Sequence, residues 1–335
     1  MNIGYDGGFY AAKAISGDRT SYRLSFASGR FDTSMLSLNG HSSVIVASDQ
    51  YGRYLVGEEA VKLAPIEARK ESRDWIDTSE YMNVFYAGVS DLTTASQVTV
   101  NLVTGLPVAD YRQDWRKLCN RFLGVHRFTR EGPDRTAQIV KIESVRVLPQ
   151  AWGAILCLLL DNKGVVVQPE LAEQKTGVID AGGHTVNYLS VNGLSDIPAE
   201  TRGTERGAWN VVRNVRNFFA AEYPGLNRLT DHDIMDAIIK GIVYDGDKPI
   251  DLGPVVKPII DDIGQEIVDT ARQYWGAHAA TFRRIVMIGG GAYLWGEHVK
   301  RAFEQTITLP HPELANARGF YRFAVNKANQ AKQGA

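Results

Sequence analysis

Residues 178–183 read Val-Ile-Asp-Ala-Gly-Gly, an apolar run of β type that ends at an Asp and passes into two glycines. Residues 3–8 repeat this plan as Ile-Gly-Tyr-Asp-Gly-Gly, and residues 285–291 read Ile-Val-Met-Ile-Gly-Gly-Gly. Small residues directly after a strand let backbone N–H groups approach an anion with no Cβ in the way. A single glycine turn is commonly a bulge or a hairpin turn. Three turns with consistent flanks predict a set of phosphate-binding turns.

The two Asp-bearing turns lie at the tips of two similar β-hairpins. Residues 2–15 and residues 176–191 each read strand, turn, strand, and an apolar helix after Gln150 separates the two copies. The pattern predicts an α/β chain of two related halves with a cleft between them. We assign residues 1–161 and 313–335 to the first half and residues 162–312 to the second.

The rest of the chain alternates between strands and helices, as in an α/β domain. Further strands are predicted at 22–26, 43–47, 54–56, 98–107 and 284–288, with a β pair around the turn at 132–134. Helices are predicted at 110–122, 151–161, 209–221, 231–240, 255–274 and 295–303. The polar residues 326–335 are expected to fray, and the six tryptophans are expected to fill the core or an interface.

Composition excludes several classes of function. The 37 Lys and Arg residues balance 38 Asp and Glu residues, so no global charge attracts nucleic acid or anionic membranes. Cys119 and Cys157 lack metal-type spacing and are expected to be reduced core thiols of a cytoplasmic protein. The longest apolar stretch, residues 151–160, is far shorter than the ~20 residues that cross a bilayer. We therefore expect a cytoplasmic protein with no membrane contact and no direct nucleic-acid binding.

These motifs resemble the nucleotide-binding core of the actin, heat-shock-chaperone and sugar-kinase superfamily. The two phosphate motifs run from Asp6 to Lys13 and from Asp180 to Thr185, the adenosine motif is Gly289–Gly291, and residues 148–151 form the connecting segment. The resemblance is closest to small prokaryotic actins of the ParM (StbA) plasmid-segregation type and their archaeal relatives. Three further stretches, residues 55–60, 102–107 and 314–320, look like that subgroup.

The resemblance implies an actin-like ATPase of two lobes, each with the ribonuclease-H-like fold, and a nucleotide cleft between them. It implies ATP and Mg²⁺ as cofactors, with GTP as the alternative nucleotide, and slow hydrolysis coupled to head-to-tail filament assembly. The implied task is segregation of a plasmid or similar DNA through a DNA-binding adaptor of ParR type. The alternatives are a non-polymerising nucleotide switch on the actin fold and another cytoskeletal role.

Three residues carry the chemistry that the resemblance implies. Asp6 and Asp180 occupy corresponding places in the two halves, where hard carboxylate oxygens suit Mg²⁺; the alternative is that each caps its own turn. Gln150 cannot usefully accept a proton at neutral pH, but it can orient a water for attack on a γ-phosphate. Sugar kinases carry an acidic base near this point, and none stands at residues 148–154. The alternative for Gln150 is an ordinary polar residue at a helix N-terminus.

The other predicted residues contact the nucleotide. The predicted cofactor-binding set is Gly7, Gly8, Lys13, Gly182, Gly183, His184, Thr185, Gly203, Gly289, Gly290 and Gly291. The alternative interpretation of Lys13 is a solvated surface lysine. For His184, an exposed turn position is the favoured interpretation. Residues 201–207 either line the nucleotide or form only the loop that enters the next helix. The chain departs from the family pattern at Asn187, where relatives often carry Asp, and at the bulky Phe9 and Tyr10.

Overall fold

The computed structural model describes residues 1–31, 43–63, 73–132 and 135–333, with only the backbone of residues 62 and 63. The chain divides into two compact units, Met1–Glu173 with Leu314–Ala335 and Gln174–Glu313. Residues 162–173 lie in the first unit, whereas we assigned them to the second half from the sequence. The predicted turn at 132–134 lies partly outside the described residues.

The described strands are β1 (Asn2–Gly7), β2 (Ala11–Ser16), β3 (Arg19–Leu24), β4 (Ala27–Ser28), β5 (Val44–Ser48), β6 (Gly52–Val56), β7 (Gln97–Leu106), β8 (Gly124–Glu131), β9 (Thr136–Pro149), β10 (Lys175–Ala181), β11 (Val186–Asn192), β12 (Ser195–Asp196), β13 (Arg202–Thr204), β14 (Ile242–Asp245), β15 (Lys248–Asp251), β16 (Arg284–Ile288) and β17 (Thr306–Thr308). The described α-helices are α1 (Glu58–Leu63), α2 (Ser79–Leu92), α3 (Val108–Phe122), α4 (Trp152–Leu159), α5 (Ala208–Glu222), α6 (Asp231–Lys240), α7 (Gly253–Trp275), α8 (Ala292–Ala302) and α9 (Ala315–Gln333).

The first unit is built on one sheet with the strand order β3-β2-β1-β7-β9-β8-β5-β6-β4. Strands β1, β7 and β9 are parallel neighbours, and β1 pairs with β2 as the predicted hairpin. The carboxyl end of β7 is buried on both faces. Val103 packs with α4 and α9, whereas Leu102 packs with α2 and α3. Because β1, β7 and β9 are parallel neighbours, their carboxyl ends meet at one edge of the sheet.

An aromatic cluster forms the core between this sheet and its helices. The ring of Tyr5 lies 5.0 Å from that of Phe85, and the ring of Phe85 lies 4.7 Å from that of Phe122. Phe85 belongs to α2, which the sequence pattern did not predict. Because its residues are buried on nearly every side, α2 lacks the polar stripe of a surface helix.

Helix α9 corrects the expectation that residues 326–335 fray. The helix continues to Gln333, and its polar end is tied to the loop after α4. Asn326 donates a hydrogen bond from Nδ2 to the carbonyl oxygen of Gly164 at 2.8 Å, and Asn329 donates to that of Lys163 at 2.9 Å. Tertiary hydrogen bonds thus order a segment whose composition alone favours fraying.

Gly4 and Gly319 let the backbone of α9 lie in direct contact with its neighbours β1 and α4. A Cβ on Gly4 of β1 would lie 2.1 Å from the carbonyl oxygen of Ala317 in α9. A Cβ on Gly319 of α9 would lie 1.9 Å from the carbonyl oxygen of Gly153 in α4. Helix α9 therefore packs by backbone contact on both β1 and α4.

The second unit repeats the plan of the first. Its larger sheet has the order β12-β11-β10-β16-β17, and β13 pairs with β11. Strands β10 and β11 form the second predicted hairpin, and β10 is parallel to β16. In this register Asp180 lies opposite Asn187, as Asp6 lies opposite Lys13 in the first unit. Strands β14 and β15 form a separate hairpin that the sequence reading did not identify.

Most tryptophans lie in the core, in agreement with the prediction from the sequence. Trp75, Trp209, Trp275 and Trp295 are buried. Cys157 is buried as well, and burial raises the pKa of the Cys119 thiol. Among the described helices, none combines the length and the apolarity that a membrane crossing requires.

Candidate functional site

One candidate site lies within the first unit, at the carboxyl ends of β1, β7 and β9. These ends carry Asp6, Gly105 and Gln150, respectively. The backbone N–H of Gln150 donates to the carbonyl oxygen of Leu106 at 2.6 Å, which extends the pairing of β9 with β7 by one residue. A Cβ on Gly105 would lie 3.2 Å from Cγ of Gln150 and 2.7 Å from the ring of Phe320. Gly105, which the sequence analysis did not select, makes room for the Gln150 side chain.

Asp6 binds two other predicted site residues directly. The residue is 4% exposed. Lys13 approaches Oδ2 with Nζ at 3.4 Å, and Gln150 donates from Nε2 to Oδ1 at 2.9 Å. Burial of a carboxylate is costly unless hydrogen bonds compensate it, and these two contacts do so. Because Nε2 of Gln150 faces Asp6, its carbonyl oxygen Oε1 is the end of the amide left to accept a hydrogen bond.

The turn after Asp6 has no space for side chains on its inner face. A Cβ on Gly7 would lie 2.8 Å from the Tyr81 hydroxyl oxygen, and a Cβ on Gly8 would lie 2.9 Å from the carbonyl oxygen of Ala11. Ser25 donates from Oγ to the carbonyl oxygen of Gly8 at 2.5 Å. Burial, followed by the negative charge of Asp6, raises the pKa of Tyr81, so its hydroxyl stays protonated behind the turn. No sequence pattern indicated Tyr81, because it lies on α2, which was not predicted.

A second candidate site joins two predicted motifs within the second unit. The N–H of Gly291 donates to the carbonyl oxygen of Ala181 at 2.8 Å. Gly289 has a φ of +82°, and a Cβ on it would lie 2.2 Å from the Ala181 carbonyl oxygen and 2.8 Å from Oδ1 of Asp180. The parallel pairing of β10 with β16 thus brings the adenosine motif beside the second phosphate motif. Only glycine fits at position 289.

The second phosphate turn also contacts the N-terminus of α5. The N–H groups of Ala208 and Trp209 donate to the carbonyl oxygens of Gly182 and Gly183 at 3.2 and 2.9 Å. A Cβ on Gly207 would lie 2.4 Å from the Gly183 carbonyl oxygen. Gly207 is therefore a further residue that shapes this turn. A glycine just before a predicted helix was the signal in the sequence.

The remaining predicted residues lie around the same turn. The turn is closed by a hydrogen bond of 2.8 Å from the N–H of Gly182 to the carbonyl oxygen of Thr185. His184 lies in this turn, but it is half-buried and not exposed as we expected from the sequence. Gly203 lies on β13 opposite Asn187, which is 2% exposed. Residues 201–207 therefore do more than lead into a helix, because part of the segment is a strand beside the second hairpin.

The candidate residues do not form a metal site by themselves, but they suit a phosphate group with its magnesium ion. Among the described residues, no cluster of three or more His, Cys, Asp or Glu side chains forms a site that could hold a metal by protein ligands alone. Asp6 and Asp180 each lie beside a glycine turn that a Cβ would fill. Such turns offer backbone N–H groups to phosphate, and single carboxylates suit a Mg²⁺ ion that keeps most of its waters. The residues present fit a magnesium nucleotide.

Comparison with known proteins gives the same fold. Residues 4–153 match the model for the N-terminal domain of actin-like proteins, and residues 178–301 match that for the C-terminal domain of archaeal MreB-like actin homologues. An archaeal actin homolog of Thermoplasma volcanium is 25% identical over 205 residues, which span 59% of this chain and 59% of that relative. The chain thus matches less than two thirds of the length of this curated relative.

Solved structures match over nearly the whole chain. A ParM filament from Clostridium botulinum matches with a TM-score of 0.80 at 20% identity and covers 96% of this chain and 98% of that one. An archaeal actin homolog in complex with ADP matches with a TM-score of 0.74 at 19% identity and covers 97% and 99%. These matches confirm the predicted two-lobed actin-like fold, which the ParM structure shares. With an N-terminal and a C-terminal actin domain model matched in chain order, this chain belongs to the actin-like proteins.

Proposed function

We propose that the protein binds and hydrolyses ATP and forms nucleotide-dependent filaments. The observation that carries the proposal is the hydrogen bond from Gln150 to Asp6 at the edge of the first sheet. It brings an amide that would orient a water to a buried carboxylate beside a glycine turn, and an amide in this role is one known way to position the attacking water in nucleotide hydrolysis. The ADP complex of a similar archaeal actin homolog supports nucleotide binding.

Nucleotide binding is assigned to the three glycine turns. The N–H groups of Gly7, Gly8 and Gly183 would contact phosphate oxygens, together with Thr185, while the N–H of Gly182 closes the second turn onto the Thr185 carbonyl oxygen. Lys13 would exchange part of its interaction with Asp6 for a phosphate oxygen, since an ammonium acts as a point charge. The turn at Gly289–Gly291 leads into α8 and would contact the ribose or base.

Asp6 and Asp180 would hold Mg²⁺ through its water ligands. Both oxygens of Asp6 already accept hydrogen bonds from Lys13 and Gln150, so water-mediated contact fits this carboxylate better than direct ligation. Bound Mg²⁺ would neutralise phosphate charge as the terminal phosphate leaves. Asp180 lies against the backbone of Gly289 and has Asn187 as its cross-strand neighbour.

Hydrolysis would depend on the orientation of Gln150. Its Nε2 atom is fixed by Asp6, so Oε1 would accept a hydrogen bond from the attacking water and align its lone pair with the terminal phosphate. A glutamine orients water but does not remove its proton at neutral pH. The predicted reaction is therefore slow hydrolysis, and transfer to a sugar hydroxyl is disfavoured.

Self-assembly is proposed by analogy with the ParM filament that shares this fold. Head-to-tail contacts that do not close into a ring generate filaments. The proposed role is the movement of a plasmid or similar DNA in the cytoplasm through a DNA-binding adaptor, because a net charge of −1 gives the chain no overall electrostatic attraction to DNA. A non-polymerising nucleotide switch is the second candidate, and it is favoured by the uncharged Asn187 beside Asp180.

The test is to follow assembly and phosphate release in one sample. We expect light scattering and pelleting to rise above a critical concentration after Mg-ATP is added, and to decay as phosphate appears. Samples with ADP or without nucleotide are the controls. Nucleotide binding without assembly at any concentration would replace the filament proposal by the switch, and absence of nucleotide binding would refute both.

Gly290→Ala is expected to weaken nucleotide binding about tenfold and to leave folding intact. Gly290 is exposed, and a Cβ on it would meet no atom within 4 Å, so the methyl group enters only the space assigned to the nucleotide. The free energy of unfolding should change by about 0.5 kcal/mol or less, as for other exposed positions. Titration with a fluorescent ATP analogue and thermal unfolding measure the two effects.

The matched control is Gly225→Ala in the same unit. A Cβ there has its nearest neighbour, Oδ1 of Asp245, at 3.4 Å, which is an ordinary contact. Gly225→Ala should change neither nucleotide affinity nor the free energy of unfolding. Unchanged affinity in Gly290→Ala would remove the Gly289–Gly291 turn from the proposed binding site.

A further inference from the structure

Ala151, directly after Gln150, has an unusual backbone conformation. Its φ and ψ are 74° and −28°, the left-handed region that residues with a Cβ adopt at a cost. Among the described non-glycine residues only Ala151 and His311 have a positive φ. Such a conformation persists only where the surroundings hold it, and it is typical of functional sites.

The left-handed turn determines where Gln150 points. On one side the N–H of Gln150 is fixed to the Leu106 carbonyl oxygen at 2.6 Å, and on the other α4 begins at Trp152. A return of Ala151 to an ordinary φ would rotate the chain between these two fixed points. The side chain of Gln150 would then leave Oδ1 of Asp6.

Asn316 on α9 supplies the partner of this backbone. Its Oδ1 accepts a hydrogen bond from the N–H of Ala151 at 3.2 Å, and both residues are buried. A Cβ on Gly153 would lie 2.4 Å from Cα of Asn316, so α9 is in backbone contact with α4 at this point. The acceptor oxygen therefore has little freedom to move away from Ala151.

We infer that Asn316 is a positioning residue for hydrolysis, which holds Ala151 in its left-handed conformation and thereby holds Gln150 against Asp6. The inference rests on the proposed ATPase function for its kinetic consequence, but its structural part stands independently. Asn316 acts from the C-terminal helix and needs no contact with the nucleotide.

The kinetic test compares Asn316→Ala with the wild type. We expect phosphate release to fall about tenfold while nucleotide affinity stays within twofold. The matched control is Asn326→Ala on the same helix, whose amide binds the Gly164 carbonyl oxygen and not the segment at Gln150. It should leave the rate unchanged. An unchanged rate in folded Asn316→Ala, or an equal loss of affinity and rate, would overturn the inference.

The coupling test uses Ala151→Gly, because glycine adopts a φ of 74° without a penalty. In a protein that carries Ala151→Gly, the further change Asn316→Ala should lower the rate less than threefold. A tenfold loss in that background would show that Asn316 acts by another route than Ala151.

A structural readout separates this inference from the proposed function. In a crystal structure of Asn316→Ala without nucleotide, we expect Nε2 of Gln150 beyond hydrogen-bond distance of Asp6. If Gln150 keeps that bond, the inference is wrong whatever the activity. If the wild type releases no phosphate but Gln150 moves as expected, the proposed function fails and the positioning role stands. Should Asn316→Ala fail to fold, Asn316→Ser, which retracts the acceptor, replaces it.

Discussion

Gln150→Ala is expected to slow phosphate release about 100-fold, the loss that follows removal of one oriented hydrogen-bonding group from a reaction centre. Nucleotide affinity should change less than threefold, because the proposed contacts to phosphate come from the glycine turns and Lys13. The truncated side chain also leaves Oδ1 of Asp6 without the donor that now lies at 2.9 Å. Water can occupy that place in a half-buried site, so the fold should persist.

The measurements are single-turnover phosphate release and equilibrium titration with nucleotide. Gln97→Ala is the matched control, since Gln97 is exposed at the opposite end of β7 from the site. Asp180→Ala provides the contrasting result, because it should abolish binding of the magnesium nucleotide. Equal loss of binding in Gln150→Ala and Asp180→Ala would contradict the role assigned to Gln150.

Gly319→Ala is expected to destabilise the first unit by about 3 kcal/mol, at the upper end of the usual range for overpacked cores. The new Cβ would lie 1.9 Å from the carbonyl oxygen of Gly153 and 2.9 Å from its Cα. Both are backbone atoms, so no side chain can rotate away, and α9 must move off α4. The melting temperature should fall by about 10 °C for a unit of this size.

Thermal unfolding followed by circular dichroism measures this effect, and Gly88→Ala is the control. Gly88 lies within α2 of the same unit, and a Cβ there would meet only side-chain atoms at 3.7 and 3.9 Å. Alanine is the better helix former by roughly 0.5–1 kcal/mol, so this change should be neutral or stabilising. Similar losses in both variants would show that the α4–α9 contact does not limit stability.

The sequence predicted those parts of the fold whose signals are local. The two hairpins, strand β16 and helix α6 follow from runs of apolar residues bounded by glycine, Asp or Thr, and the structure confirms them. Helix α2 was missed because burial on all sides removes the helical period from its sequence. The end of α9 was wrongly expected to fray because its order depends on Gly164 and Lys163, far away in the chain.

In the candidate site, too, the local contacts could be predicted from the sequence and the long-range contacts could not. The proximity of Asp6 and Lys13 follows from hairpin register, which a sequence can specify. The Asp6–Gln150 hydrogen bond depends on β1, β7 and β9 being neighbours, and no spacing in the sequence states this order. Gly105 and Tyr81 act by the space that they leave or fill, which becomes visible only in three dimensions. The roles of individual residues toward nucleotide stay predictions.

The discontinuous first unit has a consequence for synthesis on the ribosome. Residues Gln174–Glu313 form a continuous unit that can fold as soon as it has left the exit tunnel. The sheet of the first unit emerges earlier, but one of its faces stays only partly covered, by α4, until α9 has been translated, because Gly4 and Gly153 make room for that helix. Domains usually fold in the order of their synthesis. Here the half of the protein that is translated first is the half that is completed last.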